Sequence, residues 1–161
     1  MRTARILAIT MGVALLSGCA ANTSTVAQSP KQRVADAKAR TQRFEQRVAE
    51  LVPDTVVEDI KQLPSGSLQS CEHGDMWAGG VTINLRTDAQ PDIVLGELGQ
   101  RASDAGLEVE PSKSFKGTQR ITVSDHEGVS VLLDSAPHSI DGGSFSDCFS
   151  LPKEFYRGGE F

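Results

Sequence analysis

Two positive charges followed by a short apolar run decide the compartment in which this chain folds. Arg2 and Arg5 flank the first residues, and Ile6 to Leu16 reads ILAITMGVALL. A basic start and an apolar middle make the pattern of an export signal. The run of 11 apolar residues falls short of the roughly 20 that cross a bilayer as a helix, so a permanent transmembrane anchor is the weaker reading. The remainder is expected to fold outside the cytoplasm, where thiols are oxidised. A chain of 161 residues leaves room for one domain, so any cross-link must form within a single small core.

Leu16, Ser17, Gly18 and Cys19 come next. An aliphatic residue, two small ones and a cysteine in that register resemble the lipobox of bacterial lipoproteins. The resemblance implies cleavage before Cys19, a diacylglyceryl group on its sulfur, and further acylation by palmitate-class chains. Each buried methylene contributes about 0.8 kcal/mol and one chain holds only marginally, so two or three chains make a stable anchor. Residues 1–18 are then a lipoprotein signal peptide, and the protein sits on the extracytoplasmic face of the bacterial cell membrane. The other reading is an ordinary signal peptide with a chance cysteine.

The sequence has 3 cysteines. With Cys19 taken by lipid, Cys71 and Cys148 remain, and an even remainder in an oxidising compartment reads as a disulfide. Closing a loop of about 77 residues restrains the unfolded chain by roughly 4 to 5 kcal/mol, a large share of the about 5 to 15 kcal/mol that holds a small domain. A catalytic thiol or a metal pair is the alternative use. Cys71, Glu72 and His73 are not at metal-ligand spacing and no CxxC occurs, so neither metal nor cofactor is expected.

The charge balance excludes one class of partner. The full chain holds 16 basic and 21 acidic residues, and residues 1–18 hold two arginines and no acid, which leaves 14 against 21, or −7. An acidic domain is repelled by nucleic acid phosphates and by anionic headgroups. Nucleic acid is therefore not an expected partner, and membrane contact is assigned to the lipid.

Ala20 to Ser29 is small and polar, and residues 19–29 read as a lipidated flexible tether. Ser29 and Pro30 make a helix start, the hydroxyl as N-cap and proline at the first position. Val34, Ala37, Thr41, Phe44, Val48 and Leu51 recur at helical spacing up to Pro53. The opposite face, with Arg33, Lys38, Arg40 and Glu45, is expected to be solvated. Asp54 to Leu63 reads as either a short strand or a helical turn, and Pro64 to Ser70 as loop. Val81, Ile83 and Leu85 alternate like a strand, with a bend at Gly79-Gly80. Ile93, Val94, Leu98, Ala102 and Ala105 predict a second helix closed by Gly106. Further strands are expected at Leu107 and Val109, at Ile121 and Val123, at Val129 to Leu133 after a turn at Asp125 to Gly128, and around Phe145 to Phe149. The order predicts an α+β domain over residues 30–153, with a small, mostly antiparallel sheet of four or five strands, two helices on one face and a single disulfide. Residues 154–161 are expected to be a mobile tail.

The same order of features resembles the LppA-like lipoproteins of mycobacteria and related actinobacteria. Its pieces here are Arg40 to Leu51, Cys71, Val81 to Leu85, Ile93 to Val109, Ile121 to Leu133 and Asp147-Cys148-Phe149. The resemblance, lipobox included, covers about 120 residues. That family has no established activity, so the resemblance implies location and fold and supplies no catalytic residue.

Catalytic signatures are missing from the sequence. No GxSxG follows a strand, and HExxH, Walker A and GxGxxG do not occur. His73, His126 and His138 are isolated from one another. Trp77 stands between Gly74 and the Gly79-Gly80 pair, where it could line a binding groove as aromatics do at recognition sites. Alternatively it packs on the Cys71–Cys148 bridge or caps the core. The expectation is a noncatalytic, lipid-anchored envelope protein that binds another envelope protein or a small ligand. An envelope hydrolase acting on cell-wall or lipid material, and a small lipid carrier, are the alternatives.

Overall fold

The computed structural model describes residues 28–161. The signal peptide, Cys19 and the tether as far as residue 27 lie outside those residues. Helix α1 (Pro30–Ala49) starts as its sequence predicts, with the Ser29 hydroxyl accepting from the Gln32 N–H at 3.2 Å and proline in the first turn. It is followed by β1 (Val57–Gln62), β2 (Ser67–Cys71), β3 (Gly74–Leu85), α2 (Pro91–Asp104), β4 (Glu108–Lys113), β5 (Gln119–Ser124), β6 (Ser130–Ala136) and β7 (Ser139–Phe145). The fold is α+β, an open antiparallel sheet of 7 strands in the order β1-β3-β7-β6-β5-β4, with β2 also paired to β3.

Seven strands replace the expected four or five because β1 and β2 are added, and two other strands have different bounds from those expected. The segment before Leu63, open between strand and turn from its residues, is β1, and the expected loop Pro64 to Ser70 contains most of β2. Both lie along the same edge of β3, β1 on Val81 to Leu85 and β2 on Gly74 to Ala78. Their exposed side chains carry almost no alternation (Ser67, Gln69 and Ser70 among them), so neither shows an apolar signal. β3 also starts earlier than its apolar part, because Gly79-Gly80 is within the strand and no bend falls there. Finally, the last strand lies at Ser139–Phe145 and ends before Cys148. Phe149 retains only an isolated bridge to Asp75.

The main core joins Phe44 and Val48 of α1 with Leu95 and Leu98 of α2 over Ile83, Val123, Val131, Leu133 and Ile140 of the sheet. These strand residues share one parity across the register, so both helices cover the same side. Ile93, expected in the apolar stripe of α2, is exposed instead. A second, smaller core holds Trp77, Val34 and Ala37, with Leu68, Phe149, Leu151, Phe155 and Phe161 around them.

The polar side of α1 is not simply solvated. Arg33 donates to the Ser150 carbonyl at 2.5 Å, Lys38 to the Pro64 carbonyl at 2.6 Å, and Arg40 pairs with Asp147 at 2.6 Å. The helix thus holds the short segment between β1 and β2 and the irregular one that follows β7. The disulfide joins Cys71 to Cys148 with Cα atoms 6.1 Å apart, tying the same two regions together covalently.

Residues 154–161 are likewise docked, where a mobile tail was the expectation. Arg157 donates to both oxygens of Asp75, at 2.5 and 2.9 Å, and Phe161 exchanges backbone hydrogen bonds with Gly66 at 2.9 and 3.0 Å. The side chains of Phe155 and Phe161 fill the small core, which supplies the burial that two glycines in the sequence conceal.

Glu45, also read as solvated, is fully buried between α1 and the sheet. Its carboxylate accepts from the Ser144 hydroxyl and from Gln62 Nε2. Burial pushes its pKa up, and those two hydrogen bonds oppose the shift without cancelling it. A carboxyl whose folded pKa lies above its unfolded value stabilises the fold below the unfolded pKa, and that contribution is lost as pH rises through the folded one. Glu45→Gln should therefore flatten the fall in stability as pH rises above the ordinary carboxylate range, read by urea denaturation at several pH values. An unchanged slope would remove Glu45 as its source.

Candidate binding face

Of the residues singled out by sequence, Cys19 lies outside the described residues, Cys71 and Cys148 form the disulfide, and Trp77 is placed in the small core. Trp77 has 0% exposure, which corrects its reading as a binding surface. Its indole lies across Gly66 and Gly79, where any Cβ would overlap the ring. Its Nε1–H donates to the Phe161 carbonyl at 3.3 Å and its backbone N–H to the Ser146 hydroxyl at 2.9 Å. The glycines beside Trp77 make room for a buried ring; they do not frame a groove. Trp77→Ala should lower stability by about 3 to 5 kcal/mol and release the tail from protection in hydrogen exchange; a melting temperature close to wild type would contradict this packing.

The surface left free by the helices is the other side of the sheet. There Gly80 of β3 stands opposite Gly143 of β7 in register. Two facing residues without side chains leave a furrow whose floor is backbone. Lys61, Leu63, Thr82, Asp134 and Asp141 stand around it, and the cleft holds about 520 Å³. Its mixture of one aliphatic chain, backbone amides and charges of both signs suits an extended polar ligand.

Two carboxylates meet at one side of this furrow. Asp134 and Asp141 are direct partners across β6 and β7, a like-charge pairing that costs stability on a sheet. Arg120 on β5 relieves it with two bonds to Asp134, at 2.8 and 2.7 Å. That contact holds the Arg120 guanidinium above its ordinary pKa, with hydrogen bonding the largest cause. Asp141 accepts from the Ser139 hydroxyl at 3.1 Å and stays exposed. Asp59, nearer the sheet edge, is held below the ordinary carboxylate range by Lys61 and then Asn84. With Asp134 engaged by Arg120, the pair is built to place a negative charge on the furrow rim, and a proton-shuttling dyad would need that carboxylate free.

The histidines do not converge on it. His126 belongs to the β5–β6 turn, where Asp125 accepts from the Glu127 and Val129 N–H groups at 2.9 Å each. His138 turns the chain between β6 and β7 at φ 65°. No group of three or more His, Cys, Asp or Glu placed to hold a metal is found among the described residues.

Sequence reading missed the furrow because its defining feature is register. Gly142-Gly143 within a segment of strand spacing was the available signal, but which glycine faces out depends on the pairing. No family model, curated protein or solved structure matches this chain.

The two adjacent glycines of β7 face opposite ways, with opposite consequences. A Cβ on Gly142 would come within 2.8 Å of Leu133 Cδ2 and 3.0 Å of Val81 Cγ1, whereas one on Gly143 would meet nothing within 4 Å. Gly143→Ala should stabilise by about 0.5 to 1 kcal/mol, and Gly142→Ala should destabilise by about 1 to 3 kcal/mol through overpacking. Matched thermal melts of the two variants check the assignment of faces.

Proposed function

We propose that this chain is a lipid-anchored envelope lipoprotein of the LppA-like kind, whose extracytoplasmic domain binds another envelope protein or a small ligand without catalysing a reaction. The lipobox-like Leu16 to Cys19 and the Cys71–Cys148 disulfide support an oxidising, membrane-bound location. The observation that carries the binding reading is the helix-free side of the sheet with its glycine-floored furrow at Gly80 and Gly143. A sheet covered on one side presents a broad rigid surface, and a backbone floor lets a partner chain approach closely. The conspicuous ionic groups are engaged with one another, Arg120 with Asp134 and Arg157 with Asp75, which suits a scaffold better than an active site.

Native mass spectrometry of the protein, extracted in mild detergent from its own membranes, tests this reading. A partner of tens of kilodaltons or a small polar ligand should co-purify, and Gly143→Leu should abolish the association without lowering the melting temperature. Association that survives the filled furrow would sink the furrow as the site. A bound lipid would favour the carrier, and turnover of ester, amide or glycoside substrates would favour the hydrolase.

A further inference from the structure

The tail of the domain forms a second cleft, of about 560 Å³, against the start of α1. Pro30, Lys31, Pro152, Phe155, Tyr156 and Phe161 line it. The wall is aromatic: the Phe155 and Phe161 rings stack with centroids 6.1 Å apart, and Tyr156 is 77% exposed. Gly158 lies under the tyrosine, where a Cβ would come within 3.0 Å of its ring. This surface is anchored from below by Arg157 on Asp75 and by the Phe161 pairing with Gly66, so it is presented rigidly.

We infer that this aromatic cleft is the face on which the domain rests at the bilayer interface. The inference depends on Cys19 being the lipid anchor, as proposed above. Pro30 both lines the cleft and opens the domain, and the ten residues from Ala20 to Ser29 reach at most about 35 Å. The opposite end of the molecule stands farther off by the length of α1, about 30 Å for its 20 residues. The strand register puts the β4–β5 turn with Phe115 at that far end, on the Leu85 side of β3, and Trp77 with the tail at the near end.

The chemistry of the cleft selects its lipid. Rings with a polar edge settle at headgroup depth, where one side is apolar and the other wet. Lys31, Glu154 and Glu160 also line the cleft. A zwitterionic headgroup matches that arrangement, its phosphate toward Lys31 and its ammonium toward the carboxylates and the Tyr156 ring. An anionic bilayer is the poorer match for a domain of net negative charge.

The test uses the full acylated chain in phosphatidylcholine vesicles whose acyl chains carry bromine, a quencher of tryptophan. Tyr156→Trp and Phe115→Trp each add one reporter, and the constant emission of buried Trp77 is subtracted. The Tyr156→Trp signal should shift to the blue and lose most of its intensity, while the Phe115→Trp signal stays unquenched. Absence of quenching at position 156, or equal quenching at both positions, overturns the inference. Hydrogen exchange on the unsubstituted chain gives an independent check: the amides from Tyr156 to Phe161 should slow on vesicles relative to the same protein without lipid, and unaltered rates overturn the inference. Mass spectrometry of the same preparation separates the two failures, because an unmodified Cys19 removes the anchor and the inference with it, whereas an acylated Cys19 with an unquenched reporter removes the inference alone.

Discussion

The burial of one indole organises the end of the domain where the chain enters. Trp77 sits on β3, and its ring needs two glycines beneath it, Gly66 from the loop between β1 and β2 and Gly79 from its own strand. Once placed, it draws in Val34 and Ala37 from α1, Leu68 from β2 and Phe161 from the tail. Its indole N–H then fixes the Phe161 carbonyl, which would otherwise leave a buried donor without a partner. Stretches from α1, from Gly66 to Leu68 and from the tail pack on this one side chain, and the aromatic cleft is built on the same cluster.

Around that ring the structure uses three kinds of restraint at different ranges. The disulfide acts on the unfolded chain by closing a long loop. The ion pairs of Arg40 with Asp147 and Arg157 with Asp75 act locally, steering irregular backbone onto α1 and β3. Asp75, with 4% exposure, is the more consequential, since a buried carboxylate deprived of its arginine is costly. The layers beneath are ordinary apolar packing, with Glu45 admitted between α1 and the sheet.

How much of this was legible depends on whether a residue's neighbours in sequence are also its neighbours in space. Ser29, Pro30 and the stripe from Val34 to Val48 specify α1 locally, and so does the alternation of Val81, Ile83 and Leu85. The turn at Asp125 to Gly128 was equally readable, because its hydrogen bonds are internal to it. The edge strands were not, since β1 and β2 owe their existence to β3 and bury little of their own. Glu45 looked like surface because its partners, Gln62 and Ser144, lie on strands far along the chain. The docked tail and the furrow failed for the same reason, as Phe161 meets Gly66 and Gly80 meets Gly143 only in the folded state.

The pairing of β3 with β7 sets the timing of the fold. These two strands are interior neighbours in the sheet yet lie far apart in the chain, with α2 and three strands between them. Contacts of that range form late, because loop closure must precede any gain from the pairing. Neither the sheet centre nor the disulfide can close before the final fifth of the chain is present, so a chain emerging from its N-terminus stays open almost to the end. If the chain is threaded across a membrane, as proposed, that delay favours a slender form during passage.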